Sequence, residues 1–251
     1  DGSVSYSGDQ GIKELQIAKN IKIPTNQTGD AAFMNINNAI GDFAASYPTA
    51  PAAVNTSGVA VESANVTDRN TYNGITIPHN YTFTFGPGAA ELDVTNDLGV
   101  SIYNTTTYVA GQNIPLTSTG MDVTLSGNPL PGESITISEQ EEVSIFETLN
   151  DAIAWMEQDS TTTNHEQHQV DYNNILDQLN EATSHITSRR VDSGIRLQVL
   201  DSQENRHLDS ELGLSSGRAN IEDLDFAKAI SHFEQSKIAL QASQQAFSKV
   251  Q

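Results

Sequence analysis

IEDLDFAKAISHFEQSKIALQASQQAFSKVQ, residues 221–251, sets an apolar side chain every seven positions: Phe226, Phe233, Leu240 and Phe247. Ile230, Ala239, Ala242 and Ala246 fall beside them, so the spacing predicts a helix with one apolar stripe along a polar body. Asn220 offers a polar cap, Glu222, Asp223 and Asp225 crowd the first turn where the helix dipole favours anions, and Lys237 and Lys249 lie toward the far end. A stripe of this kind needs a partner. Two are open: a long helix of the same chain, or a helix supplied by another subunit.

Working back from that helix, GLSSGRAN (213–220) contains two glycines and several polar residues, which predicts a break in the helical signal. Before the break, Tyr172, Ile175, Leu179, Ala182 and Ile186 keep a three-four spacing, and the stripe shifts after Arg189 to Val191, Ile195, Val199 or Leu200, Leu208 and Leu212. This predicts one long helix over about 164–212. Val143, Phe146, Leu149, Ile153 and Met156 form one face of an earlier helix over about 141–158.

Upstream of Ser138 the period changes from about 3.6 to two. Between Val59 and Ser138 the apolar runs are short, β-branched or aromatic, and bounded by Gly, Pro, Asn or Asp. Strands are expected at 75–77, 81–85 (YTFTF), 92–95, 100–103, 121–126 and 134–138, making a small antiparallel sandwich or barrel. YPTAPAA (47–53) reads as a linker. The segment from Val4 to Ile23 reads as a hairpin with one buried face, turning at Gly8-Asp9-Gln10-Gly11, with loop over 24–32 and an ambiguous stretch at 33–40. Strands followed by helices, without βαβ alternation, give the α+β class: an elongated antiparallel helical bundle with a β-hairpin, plus an inserted small antiparallel β domain. The expected partition is residues 1–43 as the hairpin part of the helical domain, 44–138 as the insertion and 139–251 as the helical part.

Composition narrows the function classes. In 251 residues, 12 Lys and Arg stand against 32 Asp and Glu, and the net charge of -20 repels phosphate backbones and anionic lipid surfaces alike. Nucleic acid and membrane are therefore not expected partners. No Cys is present, which removes disulfides and thiolate metal sites. No run of eighteen apolar residues and no amino-terminal signal pattern occur. The first residue is Asp1 rather than Met, and a fragment is expected.

Candidate chemistry is thin. His165 and His168 are three apart, where a zinc-binding HExxH motif needs four, and the expectation is solvated histidines at a helix start. Gly86-Pro87-Gly88 lacks a third Gly and a following helix, and reads as a hairpin turn. The carboxylates Glu139, Glu141, Glu142 and Glu222, Asp223, Asp225 have no calcium-loop spacing and are expected at helix starts. Five sequons, at Asn26, Asn55, Asn65, Asn80 and Asn104, read as surface residues of a Thr- and Asn-rich β region. Tyr81, Phe83 and Phe85 share a face and are expected in a core. No catalytic, cofactor or metal residue is assigned, and the chain is not read as an enzyme.

Several segments also carry a family likeness. IEDLDFAKAI (221–230) resembles the acidic, aromatic-containing segment near the carboxyl end of the bacterial flagellin superfamily. LQASQQAF (240–247) resembles one branch of it, the hook-associated protein 3 family of hook-filament junction proteins. The pattern recurs at YSGDQGIKELQI (6–17), GDAAFMNI (29–36), YVAGQNIPL (108–116) and GNPLPGESITI (127–137), covering most of the chain. The resemblance implies a structural protein of the bacterial flagellum, exported through the flagellar apparatus to the hook-filament junction. Its partners would be other axial proteins (hook-associated proteins and flagellin), further copies in a ring-like assembly, and an export chaperone. Phe226, Ile230, Phe233, Leu240 and Phe247 are then the subunit-interface candidates, paired with amino-terminal helices, and the fragment alone is expected to be a monomer. The competing readings are a flagellin, another hook-associated protein, or an extracellular β-domain adhesin on a helical stalk.

Overall fold

The computed structural model describes residues 4–49, 55–88, 90–158 and 164–250. Strands β1 (Glu14–Ala18) and β2 (Ile21–Pro24) form a hairpin, followed by helix α1 (Gly29–Phe33), β3 (Ile36–Asn37) and β4 (Phe43–Ser46). The β region continues with β5 (Ala60–Val66), helix α2 (Arg69–Asn73), β6 (Asn80–Phe85), β7 (Leu92–Asn96) and β8 (Ser101–Thr105). It closes with β9 (Asn113–Leu116), β10 (Met121–Ser126) and β11 (Ser134–Glu139). Then come β12 (Glu142–Val143), α3 (Ile145–Glu157) and α4 (His165–Val250). The α+β class read from the sequence is the class observed, and the chain divides into two compact units, Asp1–Lys13 with Pro24–Asp192 and Glu14–Ile23 with Ser193–Gln251.

In the first unit, alternation builds the core. β6 reads NYTFTF and turns Tyr81, Phe83 and Phe85 inward while Thr82 and Thr84 face out; β10 and β11 do the same with Met121, Val123, Leu125 and with Ile135, Ile137. A five-stranded antiparallel sheet, β4-β11-β6-β7-β8, and a three-stranded one, β5-β10-β9, send these side chains into one cluster with Phe43 and Tyr72. The sheet therefore begins at Phe43 and β11 runs to Glu139. Gly120 shows why the β9–β10 turn needs its glycine: φ is +71°, and a Cβ would collide with the Asp68 carbonyl. That approach lets the Gly120 carbonyl accept the N–H groups of Thr67 and Asp68, each at 2.9 Å. Asp68 in turn caps α2 through Asn70 and Thr71.

The helical part of the same unit pairs α3 with the start of α4. Ser144 caps α3 at the Phe146 and Glu147 N–H groups. Trp155 stacks on His168 at 4.4 Å and donates Nε1 to the His168 carbonyl at 2.9 Å, with Tyr172 behind it. In the second unit, β1 and β2 lie on α4, where His207 Nε2 meets the Ile17 carbonyl at 3.1 Å.

The structure corrects several expectations. The amino-terminal hairpin turns at Lys19-Asn20, between β1 and β2, while Asp9 only accepts the Gly11 N–H at 2.8 Å; its first strand is exposed on Glu14–Gln16, so it has no fully buried face. Residues 24–32, expected as loop, contain most of α1, capped by Thr28. Residues 75–77 are not a strand. β5 and β9 lie in stretches where no strand was expected. The helix expected over about 141–158 is α3 and begins at Ile145, since Glu142 and Val143 pair with Asn37 and Ile36. Most plainly, α4 runs unbroken through 213–220 to Val250, so Asn220 caps nothing and Glu222 and Asp223 lie in mid-helix. The expected linker at 47–53 lies outside the described residues from Ala50 on.

Candidate subunit interface

Phe226, Ile230, Phe233, Leu240 and Phe247 all lie on α4 and are 50–71% exposed. On an ideal helix at about 100° per residue they fall within an arc of about 100°, a single apolar stripe. Among the described residues nothing in the chain covers that stripe. Burying such a side chain stabilises by about 1.5–3 kcal/mol, so the exposed row is a large unspent association energy. Glu222 and Arg218 form an exposed i,i+4 pair at 3.4 Å, which contributes little beside it.

A second exposed row was legible only as a helix face. Phe146, Leu149, Ile153 and Met156, read from their spacing as the apolar side of a helix, are 38–66% exposed, and Phe33 lies beside Phe146 with ring centroids 6.4 Å apart. The inward positions of α3 are instead Thr148, which is buried, and Trp155. In the second unit Ile17, Leu197, Leu200 and Leu208 line an open, largely apolar cavity of about 530 Å³.

The remaining sequence candidates have structural employment. His168 packs against Trp155, and His165 is exposed. Gly86–Gly88 sits in the β6–β7 turn, where Gly86 N–H donates to the Glu91 carbonyl at 2.9 Å. Glu141 takes Arg69 Nη1 at 2.6 Å, and Asp42 takes Nη2 at 3.3 Å; Glu139 and Glu142 are strand residues, not helix starts. Of the sequons, Asn55 is a correction: it is buried, its Nδ2 donates to the Val59 carbonyl at 2.8 Å and to Gln167 Oε1 at 2.9 Å. Tyr81, Phe83 and Phe85 are core residues, at most 3% exposed.

Sequence reasoning missed the buried carboxylate of Glu133. It accepts from Thr56 N and Oγ1 at 2.6 and 2.9 Å, Ser57 N at 3.0 Å and Leu130 N at 2.8 Å, with the Ser57 hydroxyl as a further donor. Burial alone would raise its pKa, but these donors together hold it below the usual glutamate range. No local sequence signal marks such a site, because all its donors but the Leu130 N–H, those of Thr56 and Ser57, lie 76 or 77 residues away.

Residues 176–251 match the family described as the bacterial flagellin C-terminal helical region. Solved structures share the fold. FlgL from Xanthomonas campestris superposes with a TM-score of 0.63 at 22% identity, over 88% of this chain and 68% of that one. The flagellar junction protein FlgL from Legionella pneumophila gives 0.62 at 28% identity, over 81% and 63%. A flagellar hook associated protein-3 from the same organism gives 0.65 at 28%, over 87% and 66%. The chain thus spans about two thirds of the length of these proteins. No curated protein sequence matches it. No helix among the described residues is long and apolar enough to cross a membrane.

Proposed function

We propose that this flagellin-like chain is a structural subunit of the bacterial flagellum that joins hook to filament, with α4 in the axial assembly and the β sheets as an attached domain spanning residues 44–138. The observation that carries the reading is the exposed stripe Phe226, Ile230, Phe233, Leu240 and Phe247, lying inside the flagellin-type region 176–251 and uncovered among the described residues. Helices from an amino-terminal segment and from neighbouring axial proteins would cover it, and the row Phe146, Leu149, Ile153, Met156 offers such helices a second seat. The acidic surface suits an exported protein displayed in water, and the role is mechanical, not catalytic. Ring formation by further copies and escort by an export chaperone belong to the same proposal.

The test uses the full-length protein in flagellated cells. Phe233→Ser with Leu240→Ser should leave the β sheets folded, since they have their own core, yet prevent stable incorporation, so that filament subunits are lost to the medium. Normal filaments containing the doubly substituted protein would refute both the interface and the junction role.

A further inference from the structure

We propose that the meeting of α3, the start of α4 and β4 is an acid-tightened joint, in which the carboxylates of Asp151 and Asp171, with Glu147 one turn away on α3, keep the helices and sheet loosely held at neutral pH and proton uptake by the two aspartates draws them together. The geometry comes first. α3, β4 and α4, with residues 38–40, Gln140 and Val143, line a half-open cavity of about 160 Å³ whose lining includes Glu147, Thr148, Asp151, Asn174 and Gln178 and holds no lysine or arginine. Between Arg69 and Arg189 the sequence contains neither Lys nor Arg, so α3 and the first turns of α4 carry no lysine or arginine of their own to offset these acids. Glu147 and Asp151 stand one turn apart on α3, an i,i+4 like-charge pair that opposes the helix itself.

The electrostatics point the same way. Asp151 keeps solvent access, yet the partial burial of its carboxyl raises it above its ordinary value, and Glu147 and Asp171 add to the rise. Burial also raises Asp171, against the Gln167 Nε2 donor at 2.7 Å and the neighbouring His168. From the sheet side the facing titratable group is Tyr47, pushed up to about 12 chiefly by burial and neutral throughout. A carboxyl whose pKa is raised on folding disfavours the fold when charged. Stability is therefore gained as the pH falls from neutral through the raised values, and the gain is complete below the ordinary aspartate range.

Trp155, the only tryptophan, sits in this joint against His168 and reports on it directly. Thermal melts of the chain, followed by Trp155 fluorescence from pH 7 to pH 5, should show the midpoint rising as the pH falls. Asp151→Asn with Asp171→Asn should raise the midpoint at pH 7 by about 2–4 °C per kcal/mol relieved and flatten the pH dependence. Every histidine is common to both proteins, so the difference between them isolates the two aspartates. Glu62→Gln with Asp97→Asn makes the same change in net charge on the exposed sheet region and should leave the slope as in the parent. Equal flattening by that control pair, or a parent midpoint that falls on acidification, would overturn the proposal. If the double variant fails to fold, either single Asn variant gives the same reading with about half the effect.

Discussion

Gln178 on α4 hydrogen-bonds the backbone at Ala39 as a neighbouring strand would: its Oε1 accepts the Ala39 N–H at 2.7 Å while its Nε2 donates to the Asn37 carbonyl at 3.0 Å. Residues 38–42 pass between β3 and β4 without a regular ladder partner on that side, and a buried backbone N–H left unpaired is costly. One buried amide side chain, 8% exposed, thus closes the join between helix and sheet.

Gln178→Ala should therefore cost about 1–3 kcal/mol, because it strands one donor and one acceptor. Gln178→Glu keeps the acceptor but loses the donor and adds a buried charge to a cavity that Glu147 and Asp151 also line, and should be no better. Denaturant midpoints of the two variants, compared with Gln169→Ala on the exposed side of α4, measure this. Equal midpoints for Gln178→Ala and Gln169→Ala would mean that the join does not depend on this amide.

What the sequence made legible follows from the range of the forces involved. β6, β10 and β11 were readable because alternation is local and their inward residues are large. β5 was obscured by a bulge: Leu125 pairs with Val61 and Thr124 with Ser63, leaving Glu62 extra and breaking the period of AVESANV. β9 hid behind Pro115, which faces Asp122 in the ladder but cannot donate to it. The terminal stripe was legible as a face, yet nothing among the described residues covers it. Asn55 and Glu133 were illegible because their partners, Gln167 and Ser57, come from remote segments.

Glu133 gives a pH test of opposite sign to the joint at Asp151 and Asp171. Its carboxyl is held below the ordinary range, so the stability it supplies is present above that range and is lost as the pH falls through the lowered value. Glu133→Gln should destabilise by about 1–3 kcal/mol at neutral pH, since an amide N–H₂ must face donors, and should weaken the acid-induced loss. Unfolding curves at pH 7 and pH 3 supply the comparison; a Gln variant as stable as the parent at pH 7 would contradict the assignment.

The sheets' two entry points, Phe43 and Glu139, are paired with each other across β4 and β11. Excising 43–139 and joining the ends by a short Gly-Ser linker should leave α3 and α4 folded, because the Trp155–His168 stack and the β3–β12 pairing lie outside the excised segment. Far-ultraviolet circular dichroism should show cooperative helical melting at a lowered midpoint. A non-cooperative profile would mean that the insertion is part of the helical fold.

At micromolar concentration the chain should be monomeric by analytical ultracentrifugation, since nothing among the described residues covers its exposed stripe and the proposed reading takes the covering helices from outside them. A stable ring or filament from this chain alone would contradict that expectation and show that the stripe can pair with itself.

The continuity of α4 through 213–220 is the point on which sequence and structure differ most, and it has a direct test. Gly213 and Gly217 each cost a helix about 1 kcal/mol relative to alanine. A Cβ at either position would meet nothing within 4 Å, so substitution adds no strain. If the segment is helical, Gly213→Ala with Gly217→Ala should stabilise it by up to about 2 kcal/mol. Amide hydrogen exchange over 210–222 should slow by about 30-fold at most, following the factor of ten per 1.4 kcal/mol, while exchange in β6 and β11 stays unchanged. The same variant tests whether the terminal stripe is carried on one rigid helix. Unchanged exchange across 210–222, with no gain in helical signal, would mean that these residues are not helical in solution and that the break predicted from GLSSGRAN is real.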